Sequence, residues 1–226
     1  MGLSVFLFAF ASQRNSQRKV HEPIIEFKGN NAPYVTALTV SKLLIQNEQS
    51  VTDKPKETLD LNQLETALNS NPMIKSAQVF MTLEGTLKAE IEQKEPIARV
   101  NTRESYYVDN QGRYMPLSNN HSARVPFVTG YVQKENLTSV FTVANKVYND
   151  EFLKKNVVQI HQNEDHTLWL KLRSCDFVVE LGTVKQLDKK MNNLKAFYKK
   201  ALKDNLLNNY SKVNLKFDNQ VVCTKT

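Results

Sequence analysis

The chain has 226 residues, 41% hydrophobic and 23% charged, enough for one large domain or two small ones, which excludes a disordered chain or a fibrous repeat. Thirty Lys and Arg against 23 Asp and Glu leave a formal charge of +7, which favours an acidic partner, nucleic acid or an anionic membrane surface without choosing among them. Cys175 and Cys223 stand alone in distant segments, which excludes a disulfide-dense scaffold and any CxxC site; they are either one bridge, in an oxidising compartment, or two inert thiols.

Residues 1–11, MGLSVFLFAFA, are mostly apolar, whereas a spanning helix needs ~20 such residues. The stretch reads as the outer end of a membrane anchor. A signal-peptide core and a buried strand are the alternatives: Ala9-Phe10-Ala11 mimics a cleavage site, but no basic residue precedes the apolar run. Phe6 stands where myristoylation requires Ser or Thr. Arg14, Arg18 and Lys19 would hold the following domain in the cytoplasm unless a stronger basic cluster lies upstream.

"PIIEFKGN" predicts a strand over Ile24 to Phe27 closed by Gly29-Asn30, and "YVTALTVSKLLIQ" carries Val35, Leu38, Leu43 and Leu44 as an imperfect helical stripe. Residues 47–58 read as a polar loop. Asp60 is placed to cap the next helix, with Gln63 at the capping-box position and Leu61, Leu64, Ala67 and Leu68 on one face, ended by Asn71-Pro72. "KSAQVFMTLEGTLKAEIEQ" then alternates in period two, Ala77, Val79, Met81 and Leu83 against Leu87, Ala89 and Ile91, around a Glu84-Gly85 turn. Strand, helix, helix, strand, strand suits a small α+β module with its helices on one face of a three-stranded sheet.

After Pro96, "IARV", "SYYVD" and "VPFVTG" predict short strands. Leu137, Val140, Phe141, Ala144, Val147 and Tyr148 then mark a helix with an apolar face. "NVVQIHQ", "TLWLKLR" and "DFVVELG" are three further strands, with Trp169 read as core because Leu168 and Leu170 flank it. A long helix follows from about Val184 to Asn205. Leu187, Met191, Leu194, Phe197, Ala201 and Leu202 form its apolar face, and Lys185, Lys189, Lys190, Lys199, Lys200 and Lys203 a solvated flank. "KVNLKF" and "QVVCTK" are the closing strands, so the second domain is mainly antiparallel sheet with covering helices. The terminal strand exposes an edge of unpaired backbone groups, which proteins cover, charge or offer to a partner.

No GxSxG, GxGxxG, Walker loop or HExxH occurs, and six glycines spread singly make no phosphate cradle. His161, Glu164, Asp165 and His166 are the one cluster with metal-ligand chemistry, and they read better as the polar turn of a hairpin. The lysine-rich helix lacks the aromatic and arginine contacts that read bases. The expectation is therefore a non-enzyme with no cofactor, no metal, no small-molecule substrate and no nucleic acid.

"LDLNQLETALNSNPMIKSAQVFMTLEGTLKAEIEQKEPIARV" resembles the core of the FtsQ/DivIB family of bacterial cell-division proteins. "YYVDNQGRYMPLS", "RVPFVTG", "LGTVKQLDKKMNNLKAFY" and "VNLKFDNQVVC" resemble its later strands, long helix and closing strands in order. The resemblance implies a partial membrane anchor and linker over 1–22, an N-terminal POTRA domain (β-α-α-β-β) over 23–95 and a β domain over 96–226. It also implies a single-pass inner-membrane protein, mostly periplasmic, that assembles the divisome at midcell by binding FtsB and FtsL. In the family, FtsB adds a strand beside the terminal strand. The positions expected to bind the partner are Val213, Leu215, Phe217, Asp218, Asn219, Gln220, Val221, Val222 and Cys223, with Asn219-Gln220 departing from the family's small pair. Ile97, Ala98 and Arg99, within the family's "PIAR" segment, are expected to fix the domain junction. A POTRA-bearing polypeptide-transport or chaperone module is the alternative.

Overall fold

The computed structural model describes residues 21–29, 33–46, 59–217 and 220–226. The expected anchor over 1–22 therefore lies almost wholly outside the described residues, as do the polar loop 47–58 and Asn30. Two units form, one from residues up to Lys94 with Ser118–Ser122, the other from Glu95–Leu117 with Ala123–Thr226.

The first unit runs β1 (His21–Lys28), α1 (Ala37–Gln46), α2 (Leu61–Asn69), β2 (Ile74–Met81) and β3 (Thr86–Gln93). Its sheet order is β1-β3-β2, with β1 parallel and β2 antiparallel to β3. The periodicities explain the layers. Leu64 and Leu68 from α2, and Val40 and Leu44 from α1, are buried against Leu87, Ala89 and Ile91 of the central strand. Removing such side chains from water is worth about 1.5–3 kcal/mol each. Asp60 adopts extended backbone and its carboxylate accepts the Gln63 N–H at 3.1 Å, the expected cap.

Two details differ from expectation. Val35 is buried but precedes α1, and Leu38 is 65% exposed; the apolar pair of α1 is Val40 and Leu44, one turn apart. Leu83 does not extend the alternation of β2. It sits fully exposed at the tip of a turn in which Gly85, at φ 87°, donates its N–H to the Thr82 carbonyl at 2.9 Å.

The second unit contains β4 (Pro96–Asn101), β5 (Ser105–Asp109), β6 (Tyr114–Met115), β7 (Phe127–Gly130), α3 (Thr138–Tyr148), α4 (Glu151–Asn156), β8 (Val157–Gln162), β9 (Leu168–Leu172), β10 (Val178–Gly182), α5 (Leu187–Lys203), a 3-10 turn (Leu207–Asn209), β11 (Tyr210–Asn214) and β12 (Val222–Lys225). All its strands join one nine-stranded sheet in the order β12-β11-β10-β9-β8-β7-β4-β5-β6. Five neighbouring pairs are antiparallel, while β4–β7, β7–β8 and β10–β11 are parallel. The last two parallel pairs are bridged by helices, as parallel neighbours require.

Val140, Val143, Ala144 and Val147 of α3, with Met191, Leu194 and Ala201 of α5, share one core with Val100, Val108, Val128, Ile160, Leu170, Val179 and Val213 of the sheet. Trp169, expected in that core, alternates away from Leu168 and Leu170. It is half-buried and stacks on His161, ring centroids 4.5 Å apart and planes 18° from parallel. α5 is shorter than expected because Gln186 takes a left-handed conformation, φ 53°, just before it; Leu202 is exposed, off the buried stripe. Lys190 leaves the solvated flank too: its ammonium donates to the Leu181 and Thr183 carbonyls at 2.9 and 2.7 Å. Ile97 and Ala98 are fully buried in β4, and the Arg99 guanidinium lies over the Phe127 ring at 5.9 Å.

Candidate functional site: the C-terminal sheet edge

No group of three or more His, Cys, Asp or Glu that could hold a metal ion occurs among the described residues. In the 161–166 turn the Asp165 carboxylate accepts from the Thr167 N–H and hydroxyl at 3.0 and 2.6 Å, which holds its pKa below the usual value. His161 is bound to the Thr129 hydroxyl at 2.8 Å, and burial pushes its imidazole pKa down. Cys175 and Cys223 are free thiols; burial pushes the first up to about 11 and raises the second, so neither is activated as a nucleophile.

The sheet ends are more informative. β11 is flanked on both sides, in parallel register with β10 (Val179 opposite Val213) and antiparallel to β12 (Val213 opposite Cys223, Asn214 opposite Val222). β12 is the last strand, and among the described residues no backbone group bonds its outer side. It is well fastened inward. The Ser211 hydroxyl donates to the Thr224 and Lys225 carbonyls at 3.4 and 3.3 Å, and the Thr226 N–H donates to the Asn209 carbonyl at 3.1 Å. Glu180 accepts from Lys212 at 2.9 Å and Lys216 at 3.1 Å, and this hydrogen bonding lowers the pKa of its carboxyl. The result is a strand fastened on one side, whose outer row of alternating N–H and C=O groups has no backbone partner among the described residues.

The expected binding residues divide by position. Val213 and Leu215 face the core and are buried, and the Leu215 N–H donates to the Glu180 carbonyl at 2.9 Å, so these two support the edge from behind. Val221 and Cys223 are half-buried against the same core. Phe217 at 48% and Val222 at 40% are exposed, as is Gln220. Asp218 and Asn219 lie outside the described residues. The opposite end of the sheet is different in kind: β6 contributes only two residues, and Pro116 directly after them has no N–H to give.

One surface escaped the sequence reading. His161 and Trp169, with Thr129 and Gln159, occupy the sheet face away from the helices, Gln159 donating to the Thr129 hydroxyl at 2.8 Å. The period-two alternation of Leu168-Trp169-Leu170 was the available signal.

Comparison with known families gives two matches. The family described as FtsQ/DivIB, C-terminal related matches residues 95–224, more than half of the chain, and a POTRA-like domain matches residues 25–92. No curated protein matches the chain.

Proposed function

Since the chain belongs to the FtsQ/DivIB family, whose domains imply a role in cell division and which is not an enzyme family, we propose that it is a structural assembly protein of the divisome. It binds FtsB, itself paired with FtsL, by accepting a strand on the outer side of β12. The observation that carries this reading is the position of β12: last in a nine-stranded sheet, fastened on one side, unbonded on the other among the described residues. Backbone hydrogen bonds supply affinity, and the side chains that alternate along the edge supply selection. Phe217 and Val222, both exposed, give the incoming strand apolar contact. The family is one of membrane-anchored proteins; this chain acts at the inner membrane with its body in the periplasm. Among the described residues no helix is long and apolar enough to cross a membrane.

Proline substitution along β12 tests the assignment. Of two adjacent positions, one directs its N–H to β11 and the other outward. Val222→Pro and Cys223→Pro therefore divide into a variant that loses ladder stability and one that keeps its fold and loses FtsB, read by pull-down beside circular dichroism. Phe217→Ala and Val221→Pro should also lose FtsB. Undiminished binding by every variant that keeps its fold rules the edge out.

A further inference from the structure

The surfaces of the two sheets differ in what they leave unmatched. Side chains of α2 close the edge of β2: the Asn69 amide donates to the Ala77 carbonyl at 3.3 Å and accepts the Ala77 N–H at 2.8 Å, while Glu65 accepts the Val79 N–H at 3.0 Å. On the face of the three-stranded sheet away from its helices, Glu26, Lys28, Lys88 and Glu90 pair among themselves. The face of the nine-stranded sheet away from α3 and α5 is not balanced in this way.

Residues directly opposite one another in the register share a face. From β4 to β11 they form a row of Arg99, Phe127, Gln159, Lys171, Val178 and Lys212, with three cations and no carboxylate. Lys212 is taken by Glu180 at 2.9 Å, whereas neither Arg99 nor Lys171 makes an ion pair among the described residues. Arg99 is the more demanding of the two. Its guanidinium lies over the Phe127 ring at 5.9 Å, and its Nε is buried with no hydrogen-bond partner among the described residues. A buried donor without an acceptor is costly, and the guanidinium fork matches a carboxylate in both charge and shape. Phe127, 47% exposed, offers apolar contact beside that fork. Gln159, held by the Thr129 hydroxyl at 2.8 Å, separates the ring from the exposed Lys171.

We propose that this row receives an extended acidic segment of a partner protein, with one carboxylate on Arg99, a second on Lys171 and an apolar side chain between them on Phe127. Charge and spacing select the occupant. Three strand-to-strand steps separate Arg99 from Lys171, which is about 14 Å at ~4.8 Å per step. Along an extended segment alternate side chains share a face, and four residues span about 13 Å. A Glu-x-Leu-x-Glu pattern laid across the strands therefore brings both acids to the two cations and sets the leucine between them, beside Phe127. A single small anion meets only one of the two cations. The row lies on a sheet face, and the proposal does not depend on what pairs with the β12 rim.

The test titrates the full chain with a fluorescein-labelled peptide containing Glu-Ser-Leu-Ser-Glu, read by anisotropy and by the NMR signal of the Arg99 Nε–H, with circular dichroism to confirm that each variant folds. Saturable binding and a shift of that signal are expected. Arg99→Gln and Lys171→Gln should each weaken binding about tenfold, and Arg99→Lys should fall short of the unsubstituted chain because it keeps the charge and loses the fork. Phe127→Ala should weaken the leucine peptide and leave a version with serine in place of leucine unchanged. A peptide with Gln in place of both Glu should not bind, and saturating FtsB should not displace the acidic one. Absence of saturable binding, undiminished binding by folded Arg99→Gln, an equal shift with acetate alone, tighter binding of an oligothymidine strand, or displacement by FtsB would each overturn the proposal.

Discussion

Tyr148 at the end of α3 shows how one residue ties sequence-distant segments of the second unit together. Its hydroxyl donates to Glu95, Lys154 lies over its ring at 4.1 Å, and burial together with the Glu95 carboxylate pushes its pKa up to about 12 from the ordinary 10. A phenol whose folded pKa lies above its unfolded value gives its full stabilisation below pH 10, and loses it as pH rises through about 12. Urea unfolding between pH 9 and pH 12 should therefore show a falling midpoint, and Tyr148→Phe should flatten part of that fall. Tyr106, Tyr198, Cys175 and Cys223, whose pKa values burial also raises, contribute to the rest of it. Asp150 works in the opposite direction. The Lys195 ammonium at 2.7 Å, with the Leu153 N–H at 3.0 Å, lowers its pKa, so its contribution is present above the ordinary carboxylate range and fades in acid.

At the scale of elements, β2 is held by a helix acting through side chains in place of a strand. Asn69→Ala would leave both backbone groups of Ala77 without those bonds, at a cost of about 1–3 kcal/mol. Amide exchange at Ala77 should accelerate while that at Ile91, in the central strand, changes little; equal acceleration at both would mean that the whole unit had loosened. None of this was legible in the sequence, where Asn69 read as an ordinary helix residue, because the bond partner lies across a turn. The strong periodicities were legible: Leu64 with Leu68, the alternation of Ala77 with Val79, and the α5 stripe through Met191 and Leu194 all bury as expected. Short or broken elements were not. β6 is two residues long, too few for a period. α4 follows α3 after only Asn149 and Asp150, and the Asp150 side chain that caps it reads equally well as the polar end of the preceding helix. The terminal strand was legible as an edge, but the exposed and buried positions of the closing pair of strands emerged only from the register, which turns Val213 inward and leaves Val222 out.

At the scale of the whole molecule, the two units meet the problem of unfinished sheets differently. The nine-stranded sheet has helices on one face and a face carrying His161 and Trp169 on the other, so its growth is decided at its rims. The β6 rim is a stub closed off by Pro116. A sheet with a stub at one rim can lengthen in one direction only, so on the proposed reading the nine-stranded sheet has room for one guest strand. Titration of the full chain with FtsB, followed by mass measurement of the complex, should saturate at equal numbers of the two chains however great the excess. If FtsB docks on β12 as proposed, the count of FtsB molecules in an assembly of any size is set by the number of these rims.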